Sequence, residues 1–221
     1  MSTYIELDCV NYGYKKTGFS INNVSFKLFG GQTTALTGGN GSGKTTLSKL
    51  MIGILKPDSG SVFVDGQNIK KCSLPSMAKK IGYFFQNPER QLFCETALEE
   101  IKFSLLHAGE DETTAETKAK KLLSRFSMLE RSADFPLKLS RGEKQRLALL
   151  AVLAMKPAYY ILDEPSSGID GENKEKLIEM LKELKQSGAG LCIITHDKAL
   201  SASLADRVVV MSQGRITDEQ T

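Results

Sequence analysis

Alternating apolar and polar side chains distinguish three short segments in the first third of the chain. Residues 4–7, 24–28 and 61–64 carry this alternation and are bounded by Gly and Asn turns. A period of two is typical of strands with one buried face, and the turns favour antiparallel pairing. The pattern predicts an antiparallel β flank near the amino terminus.

A second group of strands has a different pattern. Residues 159–162 and 191–195 are continuous apolar runs, and residues 33–37 lead directly into a glycine-rich loop. Continuous apolar strands separated by long helical patterns are typical of parallel sheets covered on both faces. The predicted fold class is therefore α/β, with a parallel-sheet core beside the antiparallel flank.

Between residues 89 and 155 the strand signals stop, and the chain becomes helical and rich in charge. Residues 110–121 predict a solvated helix face, and an apolar helix is expected to begin just after Ser140 and to stop at Lys156 and Pro157. No repeat or low-complexity linker divides the chain. We expect a single domain over residues 1–221, with its core at about 1–88 and 157–221 and an inserted helical subdomain at about 89–156.

Composition narrows the class of protein without naming a partner. The net charge of +3 gives no reason to expect a nucleic acid or a membrane surface as a direct partner. The four cysteines lie far apart, which predicts reduced and mostly buried thiols in a cytosolic protein. Residues 147–155, the most apolar run, fall well short of the roughly 20 residues that cross a bilayer, and the first residues lack a secretion signal.

The glycine-rich loop carries the candidate chemistry. Its glycines allow backbone N–H groups to surround phosphates, while Lys44 supplies a positive charge and the Thr45 hydroxyl can ligate Mg²⁺. A lone match could be an ordinary glycine-rich turn, but two further ordered motifs follow it, at residues 139–143 and 159–164. The predicted nucleotide-binding residues here are Gly38, Gly39, Asn40, Gly41, Ser42, Gly43, Lys44, Thr45 and Thr46.

Two acidic residues end the apolar strand at 159–162. Asp163 is expected beside the Mg²⁺ held by Thr45, and Glu164 is the candidate general base for an attacking water. An acidic pair before Pro165 could also cap a helix, but the phosphate loop favours the catalytic interpretation. His196 follows another strand at the same carboxyl edge, where open α/β sheets bind ligands.

The order of these motifs resembles the nucleotide-binding subunits of ATP-binding cassette (ABC) transporters, over essentially the whole chain. The resemblance implies a P-loop ATPase fold that binds ATP and Mg²⁺ and hydrolyses ATP. It makes Lys44, Glu164, Gln86 and His196 the catalytic set and adds Gln86 to the metal ligands Thr45 and Asp163. Residues 167–170 match the family's D-loop, and Tyr14, with Tyr12 as a substitute, matches its adenine-stacking aromatic.

Residues 139–146 are similar to the family's signature segment. In the family, Ser140 and Gly142 would contact ATP held by a second ABC subunit across a dimer, which is a homodimer or a heterodimer. Arg141 stands where glycine is common and Glu143 where glutamine is common. These departures bring the partner's hydrolysis into question, while this chain's own half of the site remains complete.

Residues 83–93 and 96–103 are similar to the ATPases of energy-coupling-factor importers, which take up vitamins or transition-metal ions. The resemblance implies a transmembrane scaffold subunit bound through residues 86–103, with Glu99 and Glu100 as candidate contacts, and an indirect link to a substrate-binding membrane subunit. It places the chain peripherally on the cytoplasmic face of the membrane.

The chain is expected to lack the carboxyl-terminal dimerising extension of many importer ATPases. Two alternative functions stay open: an exporter ATPase, and a soluble ABC ATPase acting without a membrane partner. A catalytically dead regulatory cassette is disfavoured by Lys44 and Glu164.

Overall fold

A computed structural model describes residues 2–15 and 18–220. Its strands are β1 (Thr3–Gly13), β2 (Ser20–Phe29), β3 (Thr33–Thr37), β4 (Ser59–Val64), β5 (Gln67–Asn68), β6 (Ile81–Phe84), β7 (Tyr159–Asp163), β8 (Gly190–Ile194), β9 (Arg207–Ser212) and β10 (Arg215–Gln220). Its α-helices are α1 (Lys44–Met51), α2 (Leu74–Ala78), α3 (Ala97–His107), α4 (Glu112–Arg125), α5 (Arg141–Ala154), α6 (Gly171–Gln186) and α7 (Lys198–Leu204).

The strands form two sheets, as the two sequence patterns predict. The antiparallel sheet has the order β2-β1-β4-β5, and the larger sheet has the order β10-β9-β3-β8-β7-β6. The neighbours from β9 to β6 are parallel, whereas β10 pairs antiparallel with β9. The predicted α/β class with an antiparallel flank is confirmed; strand β10, a polar strand that lacks the apolar pattern, was not predicted.

Two hydrophobic clusters cover the large sheet. One contains core residues of the antiparallel sheet, of helix α1 and of the parallel strands, among them Ile5, Leu47 and Ile194. The other runs from the parallel strands into α3, α4 and α5, where Leu105 and Ala119 are buried. The helical part therefore shares its core with the sheet.

Helix boundaries follow from capping chemistry. Ser140 caps α5 and Thr96 caps α3, each in a capping box with a glutamate three residues later. The apolar helix predicted to begin after Ser140 is thus confirmed. Its last residue, Ala154, precedes Lys156, which has a left-handed φ of 48°, and Pro157, which cannot continue a helix.

The burial of the four cysteines differs from the sequence prediction. All four cysteines are free, but Cys192 alone is buried, whereas Cys9 is exposed and Cys72 and Cys94 are half-buried. Cys9 adopts a left-handed φ of 48° at an irregularity of β1, which places it outside the alternation that buries Leu7 and Val10. The prediction of mostly buried cysteines was wrong.

Candidate functional site

The carboxyl edge of the parallel strands opens into a cleft of about 760 Å³. Strands β3, β7 and β8 end at this edge, so the loops that follow them converge there. The volume lies within the range of small-molecule sites. The lining residues are Tyr14, Phe19, Asn40, Gly41, Gly43, Lys44, Thr45, Thr46, Gln86, Asp163, Glu164, Ser167 and His196.

The glycine-rich loop joins β3 to α1, and two of its glycines are closely packed in backbone conformations that other residues rarely adopt. A Cβ on Gly38 would lie 2.1 Å from the carbonyl oxygen of Met211, and one on Gly43 would lie 2.8 Å from Phe19 and Ile21 side-chain atoms. Both residues have positive φ, 140° and 109°. The loop is therefore packed tightly against the sheets at the start of α1, where backbone N–H groups can bind phosphate.

Lys44 lies within this loop and is 7% exposed. Its ammonium donates to the carbonyl oxygens of Gly38, 2.8 Å away, and Gly39, 3.0 Å away. Burial lowers the pKa of Lys44, while the carboxylates of Glu164 and Asp163 oppose that shift. The side chain is held in the loop as a positive charge at the floor of the cleft.

Thr45 and Asp163 come together although 118 residues separate them. The Thr45 hydroxyl donates to Asp163 Oδ2 over 2.7 Å. Burial raises the pKa of Asp163, the hydrogen bond from Thr45 opposes this rise, and the carboxylate of Glu164 adds to it. A buried carboxylate beside a hydroxyl is the hard oxygen donor set that fits Mg²⁺ when phosphates and water complete the shell.

Glu164 follows β7 with a left-handed φ of 54°. For a residue with a side chain this conformation costs on the order of 1–2 kcal/mol, so the surroundings must hold it. Its Oε1 lies 3.5 Å from His196 Nε2. Asp163, Glu164 and His196 thus meet at one edge, as their positions at the end of β7 and just after β7 and β8 predict.

Gln86 lies just after β6 and is exposed on the cleft. The segment that carries it is fixed by Gln91, whose side chain accepts from the N–H of Phe85 and donates to the carbonyl of Tyr83, both over 3.0 Å. The structure therefore brings Gln86 to the same cleft as the phosphate loop.

Aromatic side chains line one wall. Tyr14 lies on the cleft, whereas Tyr12 packs edge-on against Tyr14 with ring centroids 5.0 Å apart and does not line it. Phe19 also lines the wall and was missed by the sequence analysis. The signal was an apolar side chain five residues after Tyr14, and in the structure the Tyr14 N–H donates to the Phe19 carbonyl over 3.0 Å.

Ser140 and Gly142, at the start of α5, are not among the residues lining this cleft. The Ser140 hydroxyl and N–H contact the Glu143 carboxylate at 2.6 and 2.8 Å. A Cβ on Gly142 would lie 3.0 Å from the carbonyl oxygen of Gly168 in the segment after β7. These two residues thus lie outside the cleft, on the protein surface, and the Glu143 carboxylate lies next to them.

Glu100 was predicted as a surface contact, and this prediction was wrong. It is 2% exposed, and its carboxylate accepts from the N–H groups of Phe93 and Cys94. Glu100 shares a helical face with the buried residues Ala97, Ile101 and Leu105, which explains its inward direction. Glu99 is exposed and closes the capping box with Thr96.

The fold and the cleft define a P-loop nucleotide-binding protein. Among the described residues, no helix is both long and apolar enough to cross a membrane. The chain matches the ABC transporter family over residues 21–167. It therefore belongs to this family, and it is an ATP-binding protein that hydrolyses ATP.

Individual relatives support this assignment. The chain is 38% identical to an ABC transporter ATP-binding protein of Pyrococcus abyssi, over 96% of this chain and 81% of the relative. It is 35% identical to the energy-coupling factor transporter ATP-binding protein EcfA of Methanosphaera stadtmanae, over 100% of this chain and 80% of the relative. The solved structure of CbiO1 from Clostridium perfringens, part of the ABC transporter complex CbiONQ, is 30% identical, with a TM-score of 0.80 over 99% of this chain and 88% of that one. Cassettes of this family form dimers and work with transmembrane subunits.

Proposed function

We propose that this chain powers an energy-coupling-factor type importer of a vitamin or a transition-metal ion. ATP closes a head-to-tail dimer with a second ABC subunit, and that closure drives a transmembrane scaffold on which the chain sits at the cytoplasmic face of the membrane. The names of the EcfA relative and of CbiO1 support this class of transporter. One observation supports the proposed hydrolysis of ATP by this chain. A single cleft is lined by Thr45, Asp163, Glu164 and His196.

Each cleft residue has a role that its position supports. Lys44 and the loop N–H groups bind the β- and γ-phosphates, and Tyr14, helped by Phe19, packs on the adenine ring. Thr45, Asp163 and Gln86 would hold Mg²⁺, which would supply positive charge to the phosphates when bound. Glu164 accepts the proton of the attacking water, and His196, 3.5 Å from it, orients that carboxylate toward the γ-phosphate.

Ser140 and Gly142 contact the nucleotide of the partner subunit. The N-terminus of α5 favours anions, but the Glu143 carboxylate already occupies the N–H and hydroxyl of Ser140. In the dimer this negative charge faces the incoming phosphates and weakens the contribution of this chain to the partner's site. The arrangement suits a heterodimer with two unequal sites.

The proposed scaffold contact is an exposed apolar surface on the segment and helix that follow Gln86 in the chain. We define the aromatic face as Phe93, Phe103, Leu106 and His107; Phe93 is 68% and Phe103 51% exposed. The Phe93 and Phe103 rings pack edge-on at 5.1 Å, and His107 stacks on Phe103 at 6.5 Å. Exposed aromatic side chains that pack against one another are typical of protein interaction sites. It replaces Glu100 as the contact, with Glu99 at its edge.

Copurification tests the transport function. The tagged chain is expressed with the genes beside it, extracted from membranes in mild detergent, and its partners are identified by mass spectrometry. We expect a polytopic scaffold and a small substrate-binding membrane protein, both lost in Phe103→Glu and kept in Leu129→Glu, a second exposed apolar residue in the helical part. A polytopic partner alone would favour an exporter, and a wholly soluble pool would favour the non-transport class.

A further inference from the structure

Gln145 is a buried polar residue in the first turns of α5, with 5% of its surface exposed. Its side-chain amide donates to the backbone carbonyl of Glu164 over 3.2 Å. A buried amide is costly unless it is hydrogen-bonded, so a glutamine here requires that contact.

The contact fixes a residue whose backbone is strained. Glu164 has φ of 54°, and its N–H donates to the carbonyl of Ile194 over 2.8 Å. Its carbonyl accepts from Gln145 and from the N–H of Ser167, 3.1 Å away. Three hydrogen bonds thus hold the peptide groups on both sides of the carboxylate-bearing residue, and only one of them comes from a side chain.

Neighbours of Gln145 reach the other loops of the same cleft. Lys144 Nζ lies 3.6 Å from Glu89 after the Gln86 segment, and Arg146 donates to Asp170 over 3.3 Å. Gly142 packs beneath the carbonyl of Gly168. The N-terminus of α5 therefore contacts both the segment that follows Gln86 and the segment that follows Glu164.

We propose that Gln145 is a positioning residue that holds the Glu164 carbonyl and so keeps the Glu164 carboxylate beside His196. Through it, α5, whose first turn carries Ser140 and Gly142, adjusts this chain's own hydrolytic carboxylate when a second subunit engages that turn. The inference rests on the proposed role of Glu164 as the general base.

The test uses the full chain and the variants Gln145→Met, Glu164→Gln and their double mutant. Gln145→Met keeps the volume and removes the donor, while the Glu164 carbonyl keeps its bond from Ser167. We expect kcat for ATP to fall roughly 10- to 100-fold, with KM and fluorescent-nucleotide affinity changing less than about threefold. In the Glu164→Gln background the same change should have little further effect, since the group being positioned is gone.

A matched control is Gln32→Met, because Gln32 is a buried glutamine (8% exposed) just before β3, at the opposite end of that strand from the phosphate loop. It should leave kcat unchanged. Unaltered kcat in Gln145→Met, or equal losses in both backgrounds, would overturn the inference while leaving the general base intact. An undiminished rate in Glu164→Gln would instead remove the proposed base, and the inference with it. The thermal unfolding midpoint of each variant is measured to show that every variant is folded at the assay temperature.

Discussion

The hydroxyl of Thr45 donates to Asp163 over 2.7 Å, joining the first turn of α1 to the end of β7. The two proposed metal-binding groups are thus already adjacent, and they need little rearrangement to share one ion. Preorganisation of this kind lowers the cost of binding.

This pair gives the first prediction. Asp163→Asn keeps the shape and the bond from Thr45 but removes the charge that Mg²⁺ requires, so kcat should fall by at least about 100-fold. ATPase rates titrated with Mg²⁺ check this, with Asp206→Asn at the far end of the sheet as the control. A wild-type Mg²⁺ titration in Asp163→Asn would contradict the assignment.

The aromatic wall gives a second prediction. Tyr14→Ala should weaken ATP binding roughly 5- to 150-fold, because stacking on a base contributes about 1–3 kcal/mol. Tyr14→Phe should preserve affinity, and Tyr12→Leu should change it less than about threefold, since Tyr12 does not line the cleft. Equilibrium binding of a fluorescent ATP analogue measures this, and a larger loss in Tyr12→Leu would exchange the roles of the two rings.

Glu100 gives a prediction about stability. Replacing it with Gln removes a buried negative charge that accepts two backbone N–H groups. The free energy of unfolding should fall by about 1.5–3 kcal/mol, the range for hydrogen bonds to charged groups. Glu99→Gln on the exposed side of α3 is the matched control for urea denaturation. Equal stability of the two variants would mean that the Glu100 carboxylate contributes nothing to the turn at Phe93.

Glu143 gives a prediction about pH. Hydrogen bonds from the Ser140 hydroxyl and N–H hold the pKa of Glu143 below its ordinary value of 4.5, with Arg131 and Arg146 adding to the shift. A lowered pKa in the folded state means that the ionised form stabilises the protein above that ordinary value and that this contribution disappears as pH falls through the folded-state pKa.

Unfolding free energies of the wild type and Glu143→Gln should therefore differ most near neutral pH and converge in acid. Glu130→Gln, on the exposed turn before the signature segment, controls for general loss of charge. A stability difference that grows on acidification would reverse the sign of the predicted linkage.

The continuous apolar runs in the sequence were sufficient to predict the parallel strands and the residues at their carboxyl ends. Asp163, Glu164 and His196 could be placed together because strand ends share one edge. Phe19 could not be found in this way, since its approach to Gly43 depends on a tertiary contact between residues far apart in sequence. Glu100 was misassigned because a carboxylate suggests solvent, although its spacing from Ala97 and Ile101 is that of the buried face.

The N–H of Gly214 donates to the carbonyl of Ser42 over 2.9 Å, across 172 residues of chain, and Met211 packs against Gly38. The conformation of the phosphate loop is thus stabilised in part by contacts with the β9–β10 hairpin. During synthesis, the loop can reach its final shape only after the ribosome has released the chain as far as Gly214. Nucleotide binding should therefore begin only after the β9–β10 hairpin has formed.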